Sequence, residues 1–124
     1  MNEEERTKAF AALHEKREAR QALRLVIEKE GETALRRLFD IAHDHSGQSH
    51  YVAGFLLGLY DGGRFRFDLT DLRCLDADIF DDCIAVLKMD SQPRQEVHKY
   101  FDNGGYAFEQ LARDWEIEGY VKES

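Results

Sequence analysis

Three histidines and an aspartate fall between positions 43 and 50: His43-Asp44-His45, then His50. Imidazoles with a carboxylate are the donor set that zinc or a similar borderline metal selects. A metal-binding domain or metal-dependent hydrolase would therefore centre on His43, Asp44, His45 and His50, with Asp40 as a further carboxylate. The spacing matches no zinc signature. The His-Asp dipeptide also occurs in the phosphohydrolases named after it, but those need further ligands on well-separated helices of a longer chain. The simpler expectation is a helix C-terminus at which His43 and His45 face the negative end of the helix dipole.

A second concentration of chemistry is acidic. Asp68, Asp71, Asp76, Asp78, Asp81 and Asp82 crowd one short stretch that also holds Arg73. A calcium loop needs glycine at its sixth position, and counting from Asp76 that position is Asp81, so the run is not such a loop. Helix N-termini favour aspartate as cap and in the first turn, which accounts for Asp68, Asp71, Asp76 and Asp78. Asp81 and Asp82 are expected on a solvated face. Together the six form a partner-binding candidate, because a dense negative surface imitates nucleic-acid phosphates and can occupy a basic groove on another protein.

A third candidate is basic. Arg17, Arg20 and Arg24, with His14 beside them, are followed by Arg36-Arg37, and such a stripe could contact nucleic acid. Glu15, Glu18 and Glu28 are interleaved and no aromatic platform is near, so a solvated helix face is the expectation. Classical catalysis finds little support. The chain carries no Gly-rich phosphate loop, nucleophile elbow or paired catalytic carboxylates. Cys74 and Cys83 sit in helix-period apolar contexts and read as buried thiols. No cofactor is called for, and an enzyme is the less favoured class.

The elements that must position these groups read as helices. The first is predicted from about Glu3 to Glu30, with a thin stripe of Ala9, Ala12, Ala19, Leu23 and Val26, and it ends at Gly31. So little apolar surface implies that its first half projects, as docking arms and dimer contacts do. The next helix, about Glu32 to Asp44, has a clear buried face at Leu35, Leu38, Phe39 and Ala42. The one after it, about Ser49 to Asp61, is apolar all round, as a helix covered on every side should be. Gly54 and Gly58 share a face there that invites close packing.

Arg64-Phe65-Arg66-Phe67 alternates with period two and could pair with Ile117–Val121. Asp68 and Thr70 cap a short turn, and Asp76 caps a helix burying Ile79, Phe80, Cys83, Ile84 and Leu87. A helix from Ser91 and Pro93 to Phe101 turns Val97 and Tyr100 inward. After a loop at Asp102–Gly105, a last helix reaches about Trp115. The expected fold is all-α: a compact bundle of about six helices around an apolar central helix, with a minimal two-stranded element. One domain spans 1–124, made of a projecting helix (1–30), a core (31–117) and a tail (118–124).

The net charge of −8 is unevenly spread. Residues 1–30 hold seven acids and seven basic residues, whereas 61–90 hold eight acids, all aspartate, against four basic residues. An acidic second half disfavours direct nucleic-acid binding by the whole domain and favours a basic protein partner. The longest apolar run, Tyr51–Tyr60, is ten residues, about half of what a membrane helix needs. Two cysteines make no disulfide framework and the charged N-terminus is not a signal peptide, so a reducing cytoplasm is expected.

The stretch Ala42-His43-Asp44-His45-Ser46-Gly47-Gln48-Ser49-His50-Tyr51, with Phe67-Asp68-Leu69-Thr70-Asp71-Leu72-Arg73 and Asp78-Ile79-Phe80-Asp81-Asp82-Cys83, resembles an uncharacterised family of small proteins carried on proteobacterial plasmids and integrative elements. The resemblance covers roughly residues 33–117. It implies a cytoplasmic bacterial protein and brings no established activity and no catalytic residues. The function expected from all of this is a non-enzymatic interaction module. Its sharper form is an accessory protein that inhibits a host nucleic-acid-handling complex, of anti-CRISPR or anti-restriction type, through the acidic surface. The metal domain and a nucleic-acid-binding regulator are the alternatives, and a homodimer through the first helix is compatible with each.

Overall fold

A computed structural model describes residues 2–117. Four α-helices are present among them: α1 (Glu3–His43), α2 (Ser49–Tyr60), α3 (Ala77–Asp90) and α4 (Gly104–Asp114), with 3₁₀ turns at Leu69–Cys74 and Val97–Tyr100. The fold is all-α, and no strand occurs among the described residues. Arg64–Phe67 takes no strand pairing there, and the proposed partner segment Ile117–Val121 lies mostly outside the described residues.

The two helices expected on either side of Gly31 are one helix. α1 runs unbroken through 41 residues, a length of about 60 Å at the standard helical rise. Gly31 is buried inside it and faces α3, where a Cβ would meet the Met89 side chain, with Sδ at 2.8 Å. Glycine serves close approach here, and the packing offsets its cost of about 1 kcal/mol in a helix interior. From this point α1 lays Ala34, Leu35, Leu38 and Ala42 into the core. α1 and α3 run antiparallel, since Gly31 meets Met89 while Arg37 meets Asp82.

α2 buries Val52, Ala53, Phe55, Leu56 and Leu57 and packs against α1, α4 and both 3₁₀ turns. Its Gly54–Gly58 face receives no helix. Phe67 lies on it, 3.6 Å from a Cβ placed at Gly54 and 3.2 Å from one at Gly58. The period-two alternation of Arg64–Phe67 thus has a structural cause: Phe65 is buried and Phe67 covers the glycine face.

Asp68 caps the first 3₁₀ turn by accepting from the Thr70 amide at 2.9 Å. α3 begins at Ala77 after Asp76 and buries Cys83, Val86 and Met89. The expected helix from Ser91 to Phe101 contracts to the turn Val97–Tyr100, which keeps Val97 and Tyr100 buried. Gly104 and Gly105 belong to α4 itself, preceded by Asn103 in the left-handed region at φ 52°. Gly104 packs directly on the His98 backbone, with no room for a side chain. α4 then buries Phe108, Leu111 and Ala112, and the Trp115 indole donates to the Ala42 carbonyl at 2.7 Å, tying the end of α4 to α1.

Candidate functional site

The histidines fall where α1 ends and α2 begins. His43 Nδ1 lies 2.7 Å from the Phe39 carbonyl, and its ring packs 4.4 Å from Phe39. His45 and His50 face Trp115 at centroid distances of 6.1 and 5.7 Å. A cleft of about 380 Å³ lies here, lined by Ala42, His43, His45, Leu111, Asp114 and Trp115. His50 therefore packs on the far partner of the cleft without being part of its wall. Among the described residues, no group of three or more His, Cys, Asp or Glu side chains stands close enough together to hold a metal ion. His45 and His50 each pack on the Trp115 ring.

The aspartates are divided among different tasks. Asp68 is a cap, and its bonds to the Thr70 hydroxyl and amide hold its carboxyl below the usual range. Asp76 accepts from Gln48 Nε2 at 2.8 Å while its amide donates to Gln48 Oε1 at 2.6 Å, a two-point clasp that ties the start of α3 to the start of α2. Asp78 accepts from the neighbouring Ile79 amide. Asp82, expected on a solvated face, instead accepts both donors of a bidentate Arg37 fork at 2.9 and 2.7 Å. Its side chain is 15% exposed. Asp78 and Asp81 face solvent, and Asp71 is half-buried beside the Tyr51–Cys74 pair.

The arginines divide the same way. Arg24 donates to the carbonyls of Lys88 at 3.2 Å, Met89 at 2.5 Å and Gln92. A guanidinium at the negative end of α3 satisfies carbonyls that the helix leaves unpaired. Arg36 donates to Glu32 and to the Tyr100 carbonyl, both at 2.9 Å. Arg37 holds Asp82. Three members of the expected basic stripe therefore lock α1 to the rest of the body, and Arg17 and Arg20 stay exposed.

The strongest polar constellation involves residues that no motif marks. Arg64 grips Glu109 with two bonds, at 2.7 and 2.9 Å, and the Tyr60 hydroxyl donates to the same carboxylate at 2.5 Å. The Arg64 bonds, then that of Tyr60, pull the Glu109 carboxyl down to about 2. Glu109 in turn raises the Tyr60 phenol and the Arg64 guanidinium. These residues lie 45 and 49 positions from Glu109 in sequence, so no local spacing could reveal them. They bolt the α2 C-terminus to α4.

The thiols differ from expectation in one case. Cys83 is fully buried, which pushes it up to about 12 with help from the Asp82 charge. Cys74 is exposed, at the end of a 3₁₀ turn that buries nothing.

Two exposed features remain. Every residue from Asn2 to Leu23 is exposed, including Phe10 at 72% and Leu13 at 51%. On the body, an apolar groove of about 440 Å³ runs between the Phe67 segment, α2 and α3, and Leu69 on its edge is 74% exposed.

An all-α body stitched by salt bridges and carrying a long bare helix is the class of molecule this structure defines. The chain belongs to the family of unknown function DUF7673, whose model matches residues 32–116. No curated protein and no solved structure matches it. The family match begins just after Gly31, so it covers the packed body and leaves out the exposed half of α1.

Proposed function

We propose that this chain is a non-enzymatic protein–protein interaction module whose docking element is the exposed half of α1. One observation carries the reading: 22 consecutive residues, 2–23, are exposed while presenting three large apolar side chains, Phe10, Leu13 and Leu23, to water. A helix gains most of its stability from packing, and exposed apolar side chains clustered on one element mark contact sites. The polar groups of the body support the same reading, because Arg24, Arg36, Arg37, Asp76, Asp82 and Glu109 are all engaged in holding the fold together. The test is an affinity pull-down from nuclease-treated bacterial lysate with the full chain, set against Phe10→Asp/Leu13→Asp. A stoichiometric protein lost with the double variant supports the reading, and a capture indifferent to it removes the arm from the function.

A narrower form, inhibition of a nucleic-acid-handling complex through the acidic surface, draws support from the solvent-facing Asp78 and Asp81. In that form the capture is salt-sensitive and is lost with Asp78→Lys/Asp81→Lys, and it identifies a protein with a basic groove.

A further inference from the structure

Two helices end at one cleft. α1 stops at His43 and α4 at Asp114, and the Trp115 indole fastens one end to the other through the Ala42 carbonyl. The carbonyl end of a helix carries partial negative charge. Two such ends therefore meet around the 380 Å³ space that His43, Leu111, Asp114 and Trp115 help to line. That volume falls in the range of small-ligand sites, roughly 300–1,000 Å³.

The wall has acceptors and aromatic surface to give a ligand. Asp114 accepts from Gln110 Nε2 on Oδ1 at 3.0 Å, and no hydrogen bond among the described residues reaches its Oδ2. His43 Nδ1 faces the Phe39 carbonyl, which can only accept, so Nδ1 carries the proton and the neutral ring keeps its lone pair on Nε2. The indole N–H is engaged by Ala42, which leaves π-surface, and π-surface attracts cations. No lysine or arginine lines the cleft. Asp40 and Asp44 stand near His43 in the chain. Arg113, next to Asp114, donates to Gln110 Oε1 at 3.2 Å and lines a separate cavity with Arg64, Glu109 and Glu116. The cleft is thus set for a positive guest. Among the described residues no group of metal ligands converges, so the cation that fits is an organic one.

We propose that this cleft recognises a guanidinium group, stacked on the Trp115 ring and donating to Asp114 Oδ2 and His43 Nε2. A guanidinium is flat, always charged and more weakly hydrated than an ammonium, and it stacks on aromatic faces while its donors stay free in the ring plane. Leu111 and Ala42 are apolar walls along which the stem of an arginine side chain lies. The site belongs to the body that the family model matches and is independent of the arm.

The chain has a single tryptophan, so one indole N–H peak in a proton–nitrogen correlation spectrum reports on the cleft directly. The full chain is titrated at constant ionic strength with N-acetyl-arginine amide, methylguanidinium, N-acetyl-lysine amide, N-acetyl-citrulline amide and inorganic phosphate. A saturable shift of that peak is expected with both guanidinium probes, weaker with the lysine probe and absent with neutral citrulline. Tighter binding of the capped arginine than of methylguanidinium identifies an arginine side chain of a peptide as the ligand, and equal binding identifies a free guanidino compound. Asp114→Asn should weaken the arginine probe roughly fivefold, and His43→Lys should abolish the shift. Both positions are exposed, and an unchanged melting temperature is the check on folding. No saturable shift with either guanidinium probe overturns the proposal. So does a lysine or citrulline response equal to that of arginine, a preference for phosphate, or binding indifferent to Asp114→Asn.

Discussion

The two halves of α1 share one backbone conformation and reach it by different means. From Gly31 onward the helix is held from outside: Met89 presses on Gly31, Arg37 grips Asp82, and Leu35 and Leu38 are fully buried. From Glu3 to Leu23 it is held from within. Asn2 caps it by accepting from the Glu5 amide at 2.7 Å, and three glutamates complement the dipole in the first turn. The i,i+4 pairs Glu4–Lys8 and His14–Glu18 lie along its surface. Each such pair is worth about 0.2–0.5 kcal/mol, and alanines at 9, 11, 12, 19 and 22 supply propensity without burial. The same secondary structure therefore carries very different free energies, and substitutions can separate them.

The largest effect is expected where the body is closest-packed. Gly104→Ala places a Cβ against the His98 backbone, which has no flexible end to move aside. The turn Val97–Tyr100 or the start of α4 must shift, at a cost of about 3 kcal/mol or more, read as a drop in the urea midpoint. Gly31→Ala is a milder version of the same test. Its added methyl meets the Met89 Cβ, which moves only with the α3 backbone, so α1 and α3 must part slightly to admit it. Overpacking of about 1–3 kcal/mol is opposed by about 1 kcal/mol of improved helix propensity, so net destabilisation of the body is expected. A gain in stability at Gly31 would mean that the two halves of α1 are joined by a plain helix and that the close approach to α3 matters little.

A smaller effect belongs to Glu109, and it depends on pH. Its carboxyl is held at about 2 in the folded chain against an ordinary 4.5. A depressed folded value contributes stability that is complete above about 4.5 and fades as pH falls toward about 2. Glu109→Gln should cost about 1 kcal/mol near neutrality. It should also flatten the fall in melting temperature on acidification through that window. Equal acid sensitivity in the variant would show that Arg64 and Tyr60 do not stabilise the charged form.

These contrasts explain which features could be read in the sequence. The all-α class and the Asp68 cap rest on local spacing and were legible. Gly31 was not. A glycine after a thin stripe has the look of a helix end, and only the Met89 contact, 58 positions away in sequence, makes it a helix interior. The charged candidates misled for the same reason. Asp82 and Arg37 each read as a solvated charge because their partner lies on another helix, and Arg24 reads as surface stripe until the end of α3 and the turn after it place three carbonyls before it. Glu109, in no motif at all, takes part in the tightest polar cluster described.

The arm gives the smallest stability effect and the sharpest test of the comparison. Phe10→Asp/Leu13→Asp removes no packing from the isolated chain, so the urea midpoint should move by less than about 0.5 kcal/mol. Hydrogen exchange separates the halves more directly. Arm amides open by local helix–coil fluctuation, at a cost set by capping, ion pairs and propensity alone, whereas those around Leu35 and Leu56 open only with the body. In dilute wild-type protein, residues 6–20 should therefore exchange orders of magnitude faster than residues 34–42, although both are helical. If the arm docks on a partner protein, its protection must rise when that partner is added, and the double aspartate variant must abolish that rise. Arm amides as slow as the body at every dilution would mean that the helix is propped by contacts within one chain, and the contrast between its two halves would collapse.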